Sequence, residues 1–91
     1  MAVTVKLPTQ LRDAAGGATS TQVEAATVGE ALEALYVEHG ELRDRLSDGG
    51  GALRRFVNVY IGGEDIRFLD GLDTAVSDGD ELTILPAVAG G

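Results

Sequence analysis

A chain of 91 residues with 44% hydrophobic and 24% charged residues has the composition of a single folded domain, and excludes a wholly disordered chain. Cysteine is absent and histidine occurs once, which removes disulfides, thiol catalysis, thiolate zinc sites, cysteine-ligated clusters and multi-histidine metal centres within one chain. Seven basic residues against fifteen acidic ones leave a net charge of −8, unsuited to a nucleic-acid surface and suited to a basic protein partner.

The opening residues MAVTVKLP place Val3, Val5 and Leu7 on one face and Thr4 and Lys6 on the other. That alternation predicts a half-buried strand, and it lacks the basic-then-apolar order of a signal peptide. Pro8 suits the strand's end. Residues 9–19, with Gly16-Gly17, predict a turn or loosened hairpin, and 20–26 a weakly specified second strand antiparallel to the first. A helix opens at Thr27, a capping residue, with Glu30 at the third helical position to complete a capping box. Val28, Leu32, Leu35 and Tyr36 form its apolar stripe. Gly40 is the expected stop. Leu42 and Leu46 allow a further helical turn over the sheet edge, and 48–51 a loop.

Residues 55–61 are the clearest strand, with Val57, Val59 and Ile61 facing one way and Phe56, Asn58 and Tyr60 the other. Gly62-Gly63 supplies a tight primed turn, and a short strand over 65–68 is expected to follow. Gly71 marks another turn, with Leu72 and Val76 near the core. Asp78-Gly79-Asp80 turns the chain into a last strand over 81–85. No apolar run approaches the roughly 20 residues of a membrane span.

The order β-β-α-β-β-β needs its helix packed across a sheet to bury the apolar stripe. It resembles the α+β arrangement called β-grasp, or ubiquitin-like. That arrangement has a mixed sheet of four to five strands packed against one main helix, with the last strand central and parallel to the first. Residues 1–85 form this single domain, and 86–91 are expected to be a projecting, flexible tail.

A conventional active site is hard to assemble. The pairs Glu64-Asp65 and Asp78/Asp80 read as solvated acids or partners of turn amides, and His39 as a structural residue of the last helical turn. Arg54-Arg55 serves either as a partner contact or as a solvated pair. Phe56 and Phe68 read as core or sheet-covering residues, with an aromatic binding surface as the alternative. The ending Pro86-Ala87-Val88-Ala89-Gly90-Gly91 is different. Pro86 interrupts strand pairing, and the shrinking side chains leave room for a narrow channel to close around the chain. One reading is a frayed end; the other is a carboxylate left accessible for activation by adenylation.

With that ending, the sequence resembles the ThiS/MoaD family of ubiquitin-like sulfur carriers. The resemblance runs from VTVKLPTQLR at 3–12 to the diglycine. Its most specific stretches are RFVNVYIGGEDIRF at 55–68 and DGDELTILPAVAGG at 78–91, and it favours the branch that serves actinobacterial cysteine synthesis. The family resemblance implies that Gly91 is adenylated by an E1-like, ThiF/MoeB-type enzyme using ATP and then converted to a thiocarboxylate. Gly90, Ala89, Val88, Ala87 and Pro86 would thread into that enzyme. A pyridoxal-phosphate-dependent cysteine synthase would accept the sulfur, and a metal-dependent peptidase would release cysteine. The carrier would bind no cofactor or metal and have no catalytic residue of its own.

By the same resemblance an exposed sheet face docks partners, with Phe56, Asn58, Tyr60 and Phe68 as candidates and Glu64 and Asp65 meeting basic surfaces. Carriers for molybdopterin, tRNA thiolation or a specialised metabolite remain alternatives within the family. A ubiquitin-like protein modifier and a passive β-grasp binding module are alternatives outside that role. The free chain is expected to be a cytoplasmic monomer with no membrane or nucleic-acid partner.

Overall fold

The computed structural model describes residues 1–48, 53–54 and 57–86, Pro86 through its backbone alone. The alternation of Val3 and Val5 with Thr4 and Lys6 produces strand β1, Ala2–Lys6, with both valines fully buried. Strand β2, Ser20–Glu24, returns antiparallel with Val23 opposite Val3 and Thr21 opposite Val5. The connection is more ordered than a loosened hairpin. Two single 3-10 turns, Thr9–Leu11 and Asp13–Ala15, sink Leu11, Ala14 and Ala15 into the core. The second ends on Gly16 at φ 67°, a left-handed position where glycine has no steric penalty.

Helix α1, Val28–Glu38, starts as its sequence predicts. The Thr27 hydroxyl accepts the Glu30 N–H at 3.2 Å. Glu30 Oε1 in turn accepts the N–H of Ala26, at 3.0 Å, one residue before the cap itself. Val28, Ala31, Leu32, Leu35 and Tyr36 form its buried face, at the three- and four-residue spacing of one helical stripe.

The first helix stops where Gly40 predicts. His39 is the residue outside its last turn, at φ −134° and ψ 82°, and Gly40 opens a second helix, α2, over Gly40–Leu46. The His39 N–H donates to Leu35 O and its carbonyl accepts the Leu42 N–H, so one extended residue ends one helix and starts the next. Helix α2 packs on α1 and on the Asp13–Ala15 turn, with Leu42 and Leu46 buried; sheet-edge cover is not its main contact. Arg43 reinforces the joint, with Nη2 3.0 Å from Glu33 Oε2 and the guanidinium 5.1 Å from the centre of the Tyr36 ring.

Strand β3, Val57–Ile61, turns through Gly62 at φ 58° and Gly63 at φ 85° into β4, Glu64–Asp65. The strand expected at 65–68 is only these two residues. Ile66 turns into the core, and the Asp65 carboxylate accepts the Arg67 N–H at 2.9 Å, starting a 3-10 turn over Ile66–Phe68. A further 3-10 turn, Gly71–Asp73, sets Leu72 against the core, and Val76 is buried beyond it. Asp78 Oδ1 then accepts the Ala2 N–H, and Asp80 Oδ2 the Ser77 N–H, each at 2.7 Å.

The last strand, β5, runs over Glu81–Pro86 between β1 and β3. It is parallel to β1, with Leu82 beside Val5, and antiparallel to β3, with Ile84 opposite Val59. The five-stranded order β2-β1-β5-β3-β4 is that of a mixed β-grasp sheet. Its valines, Leu82 and Ile84 meet the stripe of α1 in one core.

Two consequences are measurable. Helix propensity favours alanine over Gly29 by about 1 kcal/mol. A Cβ there, however, would lie 3.1 Å from Leu72 O and 3.4 Å from Leu72 Cβ, and overpacking costs about 1–3 kcal/mol. Gly29→Ala is therefore expected to lower the urea midpoint. Burial pushes the Tyr36 phenol up to about 12, with Glu33 adding to the rise and Arg43 opposing it. Above a pH of about 10 the unfolded chain sheds that proton while the folded chain keeps it, so stability falls as pH rises toward 12. Tyr36→Phe should reduce the difference in urea midpoint between pH values of about 8 and about 11.

Candidate docking face and the root of the C-terminal segment

Strand pleating turns alternate residues away from the helices. The register places Asn58 beside Leu85, Tyr60 beside both Thr83 and Asp65, and Lys6 on the other side of Thr83. These side chains make one outer face, on which Asn58 and Tyr60 are half-buried and Leu85 is 45% exposed. Hence the sheet brings together three of the six docking candidates: Asn58, Tyr60 and Asp65.

The others separate. Glu64 aligns with Ile61 and belongs to the opposite side of the pleat. Phe68 lies beyond β4, in the 3-10 turn. It is 82% exposed, so its reading as a core or sheet-covering residue is corrected: Ile66, two residues earlier, takes the inward position. Phe56 lies outside the described residues, as do Ala87, Val88, Ala89, Gly90 and Gly91. Pro86 is the last described residue and pairs with Val57, at the start of β3.

Two residues near the Val57–Pro86 pair lie outside the candidates that the sequence suggests. Leu85 follows from alternation, because the buried positions Leu82 and Ile84 put Thr83 and Leu85 on the outward side. Arg67 gave no such signal. Its Nη2 donates to the Val57 carbonyl at 2.9 Å, at the β3 edge that two-residue β4 is too short to cover.

Chemistry internal to the described part of the chain is limited. A groove of about 470 Å³ lies against β3, lined by Leu53, Val57, Val59, Ile66, Gly71, Leu72 and the arginines 54 and 67. None of these side chains supplies a carboxylate, imidazole, thiol or hydroxyl. Among the described residues no group of three His, Cys, Asp or Glu side chains could hold a metal, and no buried side-chain polar atom lacks a hydrogen-bond partner. No described helix is long and apolar enough to cross a membrane.

The sheet order, the capped helix and the exit of β5 beside β3 define a ubiquitin-like β-grasp protein. The ThiS family matches residues 5–91, and the chain belongs to that family. It closely resembles the sulfur carrier protein CysO of Mycobacterium tuberculosis, with 47% identity over the whole of both chains. The crystal structure of the Amycolatopsis orientalis BexX/CysO complex contains a chain 48% identical to this one, at a TM-score of 0.89 with 98% of this chain and 99% of that one covered. The crystal structure of SAMP1 from Haloferax volcanii is 35% identical, with a TM-score of 0.86 and full coverage of both chains.

The different placements of Phe68 and Arg67 predict opposite results on substitution. Phe68→Ser is expected to leave stability within about 0.5 kcal/mol, as is usual at exposed positions. Arg67→Ala uncovers the Val57 carbonyl and should cost about 1 kcal/mol or more. Urea denaturation of the two variants beside the parent chain checks both.

Proposed function

We propose that this chain is a cytoplasmic protein cosubstrate for sulfur transfer, with Gly91 as its reacting residue. An E1-like, ThiF/MoeB-type enzyme joins AMP from ATP to the Gly91 carboxylate and releases pyrophosphate. Sulfide attacks the acyl carbon and displaces AMP, leaving a thiocarboxylate; where a protein persulfide is the donor, its outer sulfur displaces AMP to form an acyl disulfide, and a thiol then reduces that S–S bond to free the thiocarboxylate. The carboxylate is a poor electrophile until adenylated. Two terminal glycines and the small residues before them let an enzyme close around the reacting carbon.

For the acceptor we favour cysteine synthesis. A pyridoxal-phosphate enzyme forms an aminoacrylate from O-phosphoserine, and the thiocarboxylate sulfur adds to it. The acyl group shifts from sulfur to the neighbouring amine. A metal-dependent peptidase then hydrolyses the amide, releasing cysteine and returning the Gly91 carboxylate. The observation that carries this reading is the 47% identity to CysO across the full length of both chains.

A second reading has its own support. The chain is 42% identical over 66 residues to small archaeal modifier protein 3 of Haloferax volcanii. The same activated Gly91 would there form amides with lysines of other proteins. Both readings need Gly91 activation, so the test begins with ATP-dependent pyrophosphate release by the activating enzyme. It should proceed with the full chain and be lost on removal of Gly90-Gly91. The thiocarboxylated chain is then given the synthase and O-phosphoserine. A carrier–cysteine adduct supports the cysteine route, whereas amide-linked adducts on other proteins without that product support the modifier.

A further inference from the structure

The groove of about 470 Å³ beside β3 is one end of a longer trough. Past it, Gly29, Leu32 and Tyr36 of α1 face Leu53 and Leu72 across a waist of about 20 Å³. A second hollow of about 500 Å³ opens beyond, between Gly29, Glu30 and Glu33 of α1 and the pair Leu72 and Asp73. Leu72 borders all three spaces, Leu53 the first two, and Gly29 the last two. The inward-facing Val57 and Val59 line the first groove, so the trough lies on the helix side of the sheet, away from the face of Asn58 and Tyr60.

The two ends are oppositely charged. Arg54 and Arg67 are the ionic side chains lining the β3 end. Arg54 donates through Nε and Nη2 to the Asp44 carbonyl, at 3.1 and 2.9 Å. A neutral acceptor of this kind holds a guanidinium in place without cancelling its charge. Glu30, Glu33 and Asp73 put three carboxylates at the α1 end. Glu30 is held by the Ala26 N–H and Glu33 by Arg43, and Asp73 is exposed. Leu53 and Leu72 supply an apolar stretch between the ends. At the waist a Cβ on Gly29 would stand 3.1 Å from Leu72 O, so glycine keeps the passage from closing.

We propose that the trough docks an extended segment of a partner protein in which an acidic, an apolar and a basic side chain follow at alternate positions. Alternate side chains of an extended chain point to one side. The acidic group meets Arg54 and Arg67, the apolar one Leu53 and Leu72, and the basic one Glu30, Glu33 and Asp73. Charge order selects this occupant. A chain of net charge −8 attracts any cation, but a wholly basic segment sets one of its cations against the two arginines. A wholly acidic segment meets the three carboxylates, and such like-charge contacts are what exclude wrong partners. The site requires no step of the sulfur chemistry, so its test is independent of that reading.

The isotopically labelled full chain is titrated with the end-blocked peptides Glu-Thr-Leu-Thr-Lys, Lys-Thr-Leu-Thr-Lys and Glu-Thr-Leu-Thr-Glu, and amide shifts are followed by NMR. Saturable shifts are expected at Gly29, Leu53, Gly71 and Leu72. The mixed-charge peptide should bind about two- to fivefold more tightly than either like-charged one, the range that exposed ion pairs allow. Asp73→Lys changes an exposed side chain and should keep the fold; it is expected to weaken the mixed-charge peptide and strengthen the doubly acidic one. Tightest binding of the doubly basic peptide shows attraction to net charge alone and overturns the proposal. So do shifts confined to other amides, or an unchanged ratio of affinities in Asp73→Lys. Movement of the same amides on concentrating the free chain also overturns it, by placing a second copy in the trough.

Discussion

Parallel strands cannot be joined by a tight turn, yet β1 and β5 lie side by side although they stand near opposite ends of the sequence. The chain between them must therefore travel out and back before that pairing closes. The β2 return, the two helices and the β3–β4 hairpin occupy the crossover, and each adds apolar side chains to the same core. With Val5 beside Leu82 and Val59 opposite Ile84, β5 is held from both sides. The pairing with β1 ends at Thr83 and that with β3 continues to Pro86, so β5 is held from both sides over its first half and by β3 alone at its end.

The side-chain chemistry of the described residues is chiefly structural. Asp80 satisfies a turn amide and Asp78 the Ala2 amide at the start of β1, Asp65 caps a 3-10 turn, and Arg67 covers a strand carbonyl. Pro86, the last described residue, pairs with Val57 next to the Asn58–Leu85 pair of the outer face.

Much of this was legible in the sequence because the strong signals are periodic. The valines of β1 and β3, the stripe of α1 and the Thr27/Glu30 cap all depend on residues within a few positions of one another. The parallel placement of β5 came from fold analogy, since no local pattern distinguishes a central strand from an edge one. Errors arose where a local rule competed with the core. Gly40 marks the end of α1 as expected, but burial of Leu42 and Leu46 lengthens the single expected turn after it into α2, with no loop between. Alternation favoured a strand through Phe68, but the inward turn of Ile66 ended it at Asp65 and left Phe68 in solvent. Arg67 was beyond sequence reasoning because its role depends on a carbonyl ten residues away.

The central claim is that Gly91 carries sulfur as a thiocarboxylate. Its most direct test is intact-protein mass spectrometry after incubation with the cognate activating enzyme, ATP and sulfide. Replacement of one C-terminal oxygen by sulfur, absent from a chain shortened by Gly90-Gly91, is the predicted result. An unchanged mass with an activating enzyme shown to be competent would contradict the claim and leave a β-grasp binding module.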